Sequence, residues 1–258
     1  MHGRPRIPKM RMTRLGVTFI APRNPAVAMW WSVLLPGLGH MYVESQLTGF
    51  LLMLWEAILN HKANLNLAIF HTILGQYSEA GRVLRLEWAL MYPFMYLFAI
   101  FDSYRLAVQV NRFCQLEEVQ AEREFHWLAL KPIFGLNFLD KRNPLTTGLA
   151  NLILGGLGHL YNFRHAKAVI LTTWFIVVVL MSRSNVAYAL TMQGRFAEAA
   201  AVLDYQWVLF GPSIMVFNMV NGYTDAVDLN NLYDEAWEYR LRDYLLNPSW
   251  PQKKQRQP

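Results

Sequence analysis

His40 and His159 occupy the same place in two copies of one short pattern. Gly37-Leu38-Gly39-His40-Met41-Tyr42 returns as Gly156-Leu157-Gly158-His159-Leu160-Tyr161, 119 residues later. Two imidazoles facing each other inside a helical bundle could relay protons or ligate a metal. A metal needs further ligands, and no carboxylate shares either short pattern, so the simpler expectation is a pair of hydrogen-bonded structural histidines with no metal. Asp102, Tyr104, Arg105 and Asn111 form a second cluster. Asp102 and Arg105 have the i,i+3 spacing of a helix-surface ion pair. Their counterparts 119 residues on are Asn221 and Thr224, so charge-based chemistry is not shared between the copies. Tyr104/Tyr223 and Asn111/Asn230 do persist, which suits anchoring and helix packing as well as ligand contact. The candidate ligand- or proton-binding residues are therefore His40, His159, Asp102, Tyr104, Asn111, Tyr223 and Asn230.

No catalytic residue is assigned. The chain has no His-Glu-x-x-His pair, and its glycine runs lack the Lys-Ser/Thr ending of a phosphate loop. Spacing alone defines no Ser-His-Asp triad. An enzyme is not the expectation, and no cofactor is implied. Pro36, Gly37, Gly39, Gly156 and Gly158 read more simply as a structural bend, where missing side chains permit a sharp turn or close helix packing.

Each bend lies between apolar runs. The runs cover 25–43, 47–59 and 88–101, then 145–161, 166–181 and 207–220. The second run of the second copy is the more uniformly apolar, with Phe175 in place of Glu56. An intramembrane carboxylate is costly, and Asn60, His61 and Lys62 follow directly, so Glu56 is placed at the membrane interface. Residues 61–85 suggest an amphipathic interfacial helix. Arg23-Asn24-Pro25 matches Arg142-Asn143-Pro144, and Trp55, Trp88 and Pro93 match Trp174, Trp207 and Pro212 in one ungapped register. Such landmarks at a constant offset point to a tandem repeat.

Hydrophobic residues make up 54% of the 258 and charged ones only 16%, against about 25% charged in a soluble domain. The fold expected is an all-α integral membrane helical bundle of two tandem repeats. Its parts are a basic tail (1–22), a first membrane repeat (23–112), a charged linker (113–141), a second membrane repeat (142–231) and a charged tail (232–258) in which a helix precedes a disordered tip. Arg4, Arg6, Lys9, Arg11, Arg14 and Arg23 precede the first apolar run, and no acidic residue occurs before Glu44. The positive-inside rule then puts the N-terminus in the cytoplasm, a more economical reading than a nucleic-acid arm. Pro5 and Pro8 interrupt the basic head, so a cleaved signal peptide is not expected. Cys114 is the single cysteine, which excludes an internal disulfide and a cysteine-based zinc cluster.

Three crossings per copy give six helices, oppositely oriented repeats and an external linker, as in many transporters. That is the expectation, although the linker's Lys and Arg residues speak against an outside location. If the first segment of each copy is re-entrant instead, four crossings remain, both copies run the same way, and the linker is cytoplasmic.

Pro36–Tyr42, and 155–161 with Gly155 in place of the proline, resemble small bacterial membrane domains whose glycine-rich turn joins two helices in a Pro-Gly-Leu-Gly-x-x-Tyr pattern. The resemblance spans roughly a third of the chain. It implies a multi-pass protein of the bacterial plasma membrane and no enzyme class. A structural or accessory role is expected, the alternative being a small transporter or channel at the repeat interface. Expected partners are membrane lipids, with a membrane-protein partner or homo-oligomer allowed and nucleic acid not expected.

Overall fold

Each set of helices begins at the same signal. Asn24 accepts from the backbone N–H groups of Ala26 (2.9 Å) and Val27 (3.4 Å), and Pro25 opens the helix. Asn143 does the same for Leu145 (3.0 Å) and Thr146 (3.3 Å) ahead of Pro144. An Asn N-cap satisfies donors that have no intrahelical partner, and proline fits the first turn because its missing N–H costs nothing there. The computed structural model describes residues 7–13, 16–119, 125–126, 128–129, 137–138 and 140–246. The expected disordered tip and much of the linker lie outside the described residues.

The chain is mostly helical. The first set is α1 (Pro25–Leu34), α2 (Leu38–Tyr42), α3 (Gln46–Ala63), α4 (Leu65–Ile73), α5 (Tyr77–Val83), α6 (Leu86–Ala89) and α7 (Tyr92–Glu118). The second is α8 (Pro144–Leu154), α9 (Gly158–Tyr161), α10 (His165–Met181), α11 (Ser184–Met192), α12 (Phe196–Val202), α13 (Tyr205–Val208) and α14 (Phe210–Leu246). The backbone takes a positive φ at Gly37, Glu44, Asn64 and Gly75, and again 119 residues on at Gly156, Phe163, Arg183 and Gly194. Part of the basic N-terminal stretch is a hairpin rather than a free tail. Strands β1 (Met10–Thr13) and β2 (Gly16–Phe19) pair antiparallel, and Met10, Val17 and Phe19 pack on Leu229, Leu232 and Ala236 of α14. A two-residue strand, β3 (Phe125–His126), adds to β1 in parallel, and β4 (Leu128–Ala129) pairs with β5 (Asn137–Phe138).

Within the first set, the chain leaves one end along α1 and comes back along α2. Gly37, at φ 102°, makes the turn. A Cβ there would lie 2.4 Å from the Gly49 carbonyl oxygen. The return brings the Tyr42 ring to 5.1 Å from the Arg23 guanidinium, so residues 23 and 42 share one end. α3 then leads away and α7 comes back. Asn111 of α7 accepts from the Arg23 N–H (2.7 Å) and donates to the Arg23 carbonyl (2.8 Å). Asn230 of α14 clamps Arg142 in the same two ways, at 2.7 and 2.8 Å.

The two sets run in the same direction, not inverted. At the end where α3 and α10 start, Lys167 reaches Glu44. At the other end Gln206 of α13 donates to the Asn60 side chain (2.7 Å), and Asn66 donates to the Gln206 carbonyl (3.0 Å). Matching ends therefore meet at both extremes. Lys9 of the hairpin pairs with Glu117 (3.3 Å), so the start of the linker lies at the same end as the N-terminal hairpin. The core between the sets includes Trp31, Met53, Leu171, Trp174 and Phe217, with Trp31 edge-on to Phe217 at 5.0 Å.

Glu56 is buried within the protein. It accepts from Asn60 (2.9 Å) and Tyr92 (2.7 Å), partners that offset the cost of taking a carboxylate out of water. Among the described residues no single helix is long and apolar enough to cross a membrane. Three bent pairs are, taken together: α5 with 86–118 (83°), α10 with α11 (65°) and α12 with 205–242 (83°).

Candidate functional site

The most concentrated chemistry lies where the two sets meet at the hairpin end. Lys167, on the first turn of α10, is fully buried. Its ammonium donates to Glu44 Oε1 (2.8 Å), Asn221 Oδ1 (2.9 Å) and Asp225 Oδ2 (2.9 Å), which uses all three of its protons. Arg23 donates to Asp228 (2.6 Å) and lies 3.6 Å from Glu44 and 3.7 Å from Asp225. Arg164 approaches Glu44 Oε2 at 3.3 Å and donates to the Val17 carbonyl at 3.0 Å. Three cations thus face three carboxylates, and Glu44 of the first set is the anion that the second set's Lys167 and Arg164 share. Burial alone would push Glu44 up. Arg164 and Lys167 outweigh it, so the carboxyl titrates below its ordinary range. Burial likewise works against the charge on Arg23, but Asp225 and Asp228 hold it firmly protonated.

The expected site residues separate into distinct places. His40 Nε2 lies 3.2 Å from Asp102, which also accepts from Arg105 Nε at 2.9 Å. His159 is fully buried with Nδ1 3.6 Å from Asp225. Each histidine faces a carboxylate on the long helix of its own set, and no ring contact joins the two. Tyr104 and Tyr223 are each 45% exposed and take no part in either cluster. Asn111 and Asn230 are backbone clamps. Pro36, Gly37 and Gly156 form the turns, while Gly39 and Gly158 allow close packing. A Cβ on Gly39 would lie 2.1 Å from the Ala28 carbonyl, and one on Gly158 would lie 2.7 Å from Asn151 Oδ1. Among the described residues no group of three or more His, Cys, Asp or Glu side chains is placed to hold a metal ion.

Glu44, Arg164, Lys167, Asp225 and Asp228 are the residues that sequence reasoning passed over. Lys167 sits at the start of a segment read as apolar, and Asp225 and Asp228 fall near the end of the second membrane repeat (142–231), where no motif singles them out. The available signal was asymmetry. At the matching positions the other copy carries Phe163, Ser45, Thr48, Leu106 and Gln109. Charges present in one set only mark a face where the two sets meet. Compared with known protein families, curated proteins and solved structures, the chain matches none.

Proposed function

We propose that this is a multi-pass membrane protein of the bacterial plasma membrane, built from two parallel tandem repeats, with a structural or accessory role. The observation that carries the membrane reading is reversed polarity. Phe94 (75% exposed), Phe101 (68%), Ile153 (71%) and Val169 (63%) cover the outside. Asn60, Glu56, His159, Asn218 and Asp225 are inside. An apolar exterior of that extent suits hydrocarbon and is unfavourable in water. The matching bounds and matching positive-φ positions at a 119-residue offset support the repeat.

Four crossings agree with the parallel sets, with α3, α7, α10 and α14 as their main parts, the last three long and apolar enough only together with the helix bent against each, and with α1–α2 and α8–α9 as re-entrant hairpins. Lys9, Arg11, Arg112, Lys141 and Arg142 then join the buried cations at one face, which the Lys/Arg rule makes cytoplasmic. The accessory reading rests on the junction itself, whose cations and carboxylates chiefly engage one another. A transporter reading draws support from Asn218, Asn151 and His159, whose buried polar atoms have no hydrogen-bond partner in the protein.

Cysteine accessibility in intact cells, in a Cys114→Ala background, tests both. Probes at 118 and 245 should be protected from an impermeant external reagent, and probes at 64 and 183 labelled. A labelled 118 overturns the parallel four-crossing arrangement. Labelling at 218 by a water-soluble reagent would favour transport, and protection there favours the scaffold.

A further inference from the structure

Arg164 is less than fully used. It is 4% exposed, and its Nη1 serves both Val17 and Glu44. Its ring-facing side stacks 4.2 Å over Phe19. The other two nitrogens, Nε and Nη2, are buried without a hydrogen-bond partner. Those two form one edge of the guanidinium plane, the edge that takes two oxygens of a carboxylate or phosphate side by side.

A cleft of about 320 Å³ adjoins it, lined by Gly16, Thr18, Glu44, Gln46, Arg164 and His165 among others. Val17 N–H donates to the Phe163 carbonyl at 3.1 Å, which ties strand β2 to the turn before α10. Two long helices, α3 and α10, begin at this cleft, and neither has a capping side chain. Helix starts carry unpaired N–H groups and a partial positive charge. Glu44 is the one carboxylate on the lining, and Lys167, Gln46 and Arg164 already engage both of its oxygens.

We infer that this cleft is a binding site for a phosphate group, held by the first turns of α3 and α10 and, after a small shift of the Arg164 side chain that uncovers its buried edge, side-on by Arg164 Nε and Nη2. The phosphate has two chemically equivalent sources, a phospholipid headgroup or a soluble phosphate. Only the lipid source rests on the membrane reading. The full chain is purified in detergent free of phospholipid and titrated with inorganic phosphate, followed by phosphorus NMR line broadening. In parallel it is passed through phosphatidylglycerol nanodiscs, and retained lipid is counted by native mass spectrometry.

At least one arm should saturate on the wild type. Thr18→Glu, which sets a negative charge on the exposed rim without touching an Arg164 contact, should weaken it tenfold or more. Arg164→Gln should do the same, and Arg164→Lys, which lacks the two-nitrogen edge, should not restore it. Because Arg164→Gln also removes a partner of Glu44 and can compromise folding, Thr18→Glu is the deciding variant. Saturation by phosphate alone assigns a soluble ligand, and retention of lipid alone assigns a headgroup. No saturable binding in either arm overturns the inference, and so does a Thr18→Glu protein that binds like wild type.

Discussion

Lys167→Met puts the charge junction to a quantitative test. Methionine keeps much of the length of lysine and removes only the charge. Asp225, which is fully buried, then loses its 2.9 Å partner, and Glu44 loses its 2.8 Å one. Three cations against three anions become two against three. Removing one member of a buried pair costs about 3–5 kcal/mol, because the remaining charge stays desolvated and unpaired. The folded-to-unfolded ratio should therefore fall by about two to three and a half powers of ten, at ~1.4 kcal/mol per decade. Lys167→Met with Asp225→Asn removes a charge of each sign. It should recover part of the loss, with a coupling energy of at least about 1.5 kcal/mol, the lower end for close charge pairs. The assay is reversible unfolding in mixed micelles, read by the fluorescence of the nine tryptophans. Arg82→Met, whose 2.9 Å pair with Glu79 is solvent-exposed, is the control and should change nothing measurable. A loss below about 1 kcal/mol, the value of a surface pair, would refute the reasoning. So would a double variant whose effects add to within about 0.5 kcal/mol.

Acid should weaken the same junction. Glu44 titrates lower in the folded chain than its ordinary 4.5, so its contribution is complete above that value and is lost as pH falls through the lower, folded one. Stability measured from pH 7 downward should drop more steeply for wild type than for Glu44→Gln, and the two curves should converge at low pH. Gly75→Ala and Gly37→Ala separate backbone conformation from crowding. Both residues have positive φ, 73° and 102°, but a Cβ meets nothing within 4 Å at Gly75 and lies 2.4 Å from a carbonyl oxygen at Gly37. Gly75→Ala should cost about 1–2 kcal/mol for the left-handed backbone. Gly37→Ala should cost ~1–3 kcal/mol more for overpacking, and equal losses would argue against a close approach at the turn.

The helical character, the element start at Pro25 and the glycine turns were legible from letters alone, because prolines and bends act locally, while the start at Pro144 lies one residue before the apolar run read from 145. The way the copies combine was not legible. Trp55 and Trp174 match in sequence, yet Trp55 is 54% exposed and Trp174 is 5% exposed, since what covers a side chain depends on the neighbouring set. Glu56 followed by Asn60, His61 and Lys62 reads as a polar edge. Only the folded chain brings in Tyr92 from 36 residues away, and Asn60 is itself engaged by Gln206 from 146 residues away. The histidines were visible as a pair and are not one, because each answers to its own long helix. Gly155 is a local exception with a long-range cause. A Cβ at this position would lie 2.1 Å from the Phe175 ring, so where the first copy has Pro36 with Glu56, the second has glycine with phenylalanine.

The charge junction also imposes an order of events during synthesis. Glu44 is made 123 residues before Lys167. At about 5–20 residues per second, that leaves roughly 6–25 s in which the first half exists without its counter-ions. During that interval Arg23 also lacks Asp225 and Asp228. On the membrane reading proposed above, the nascent first half has reason to hold its hairpin end in the aqueous headgroup layer, and to seat it only when the second half arrives. Biogenesis would be gated by α14, which supplies the closing carboxylates.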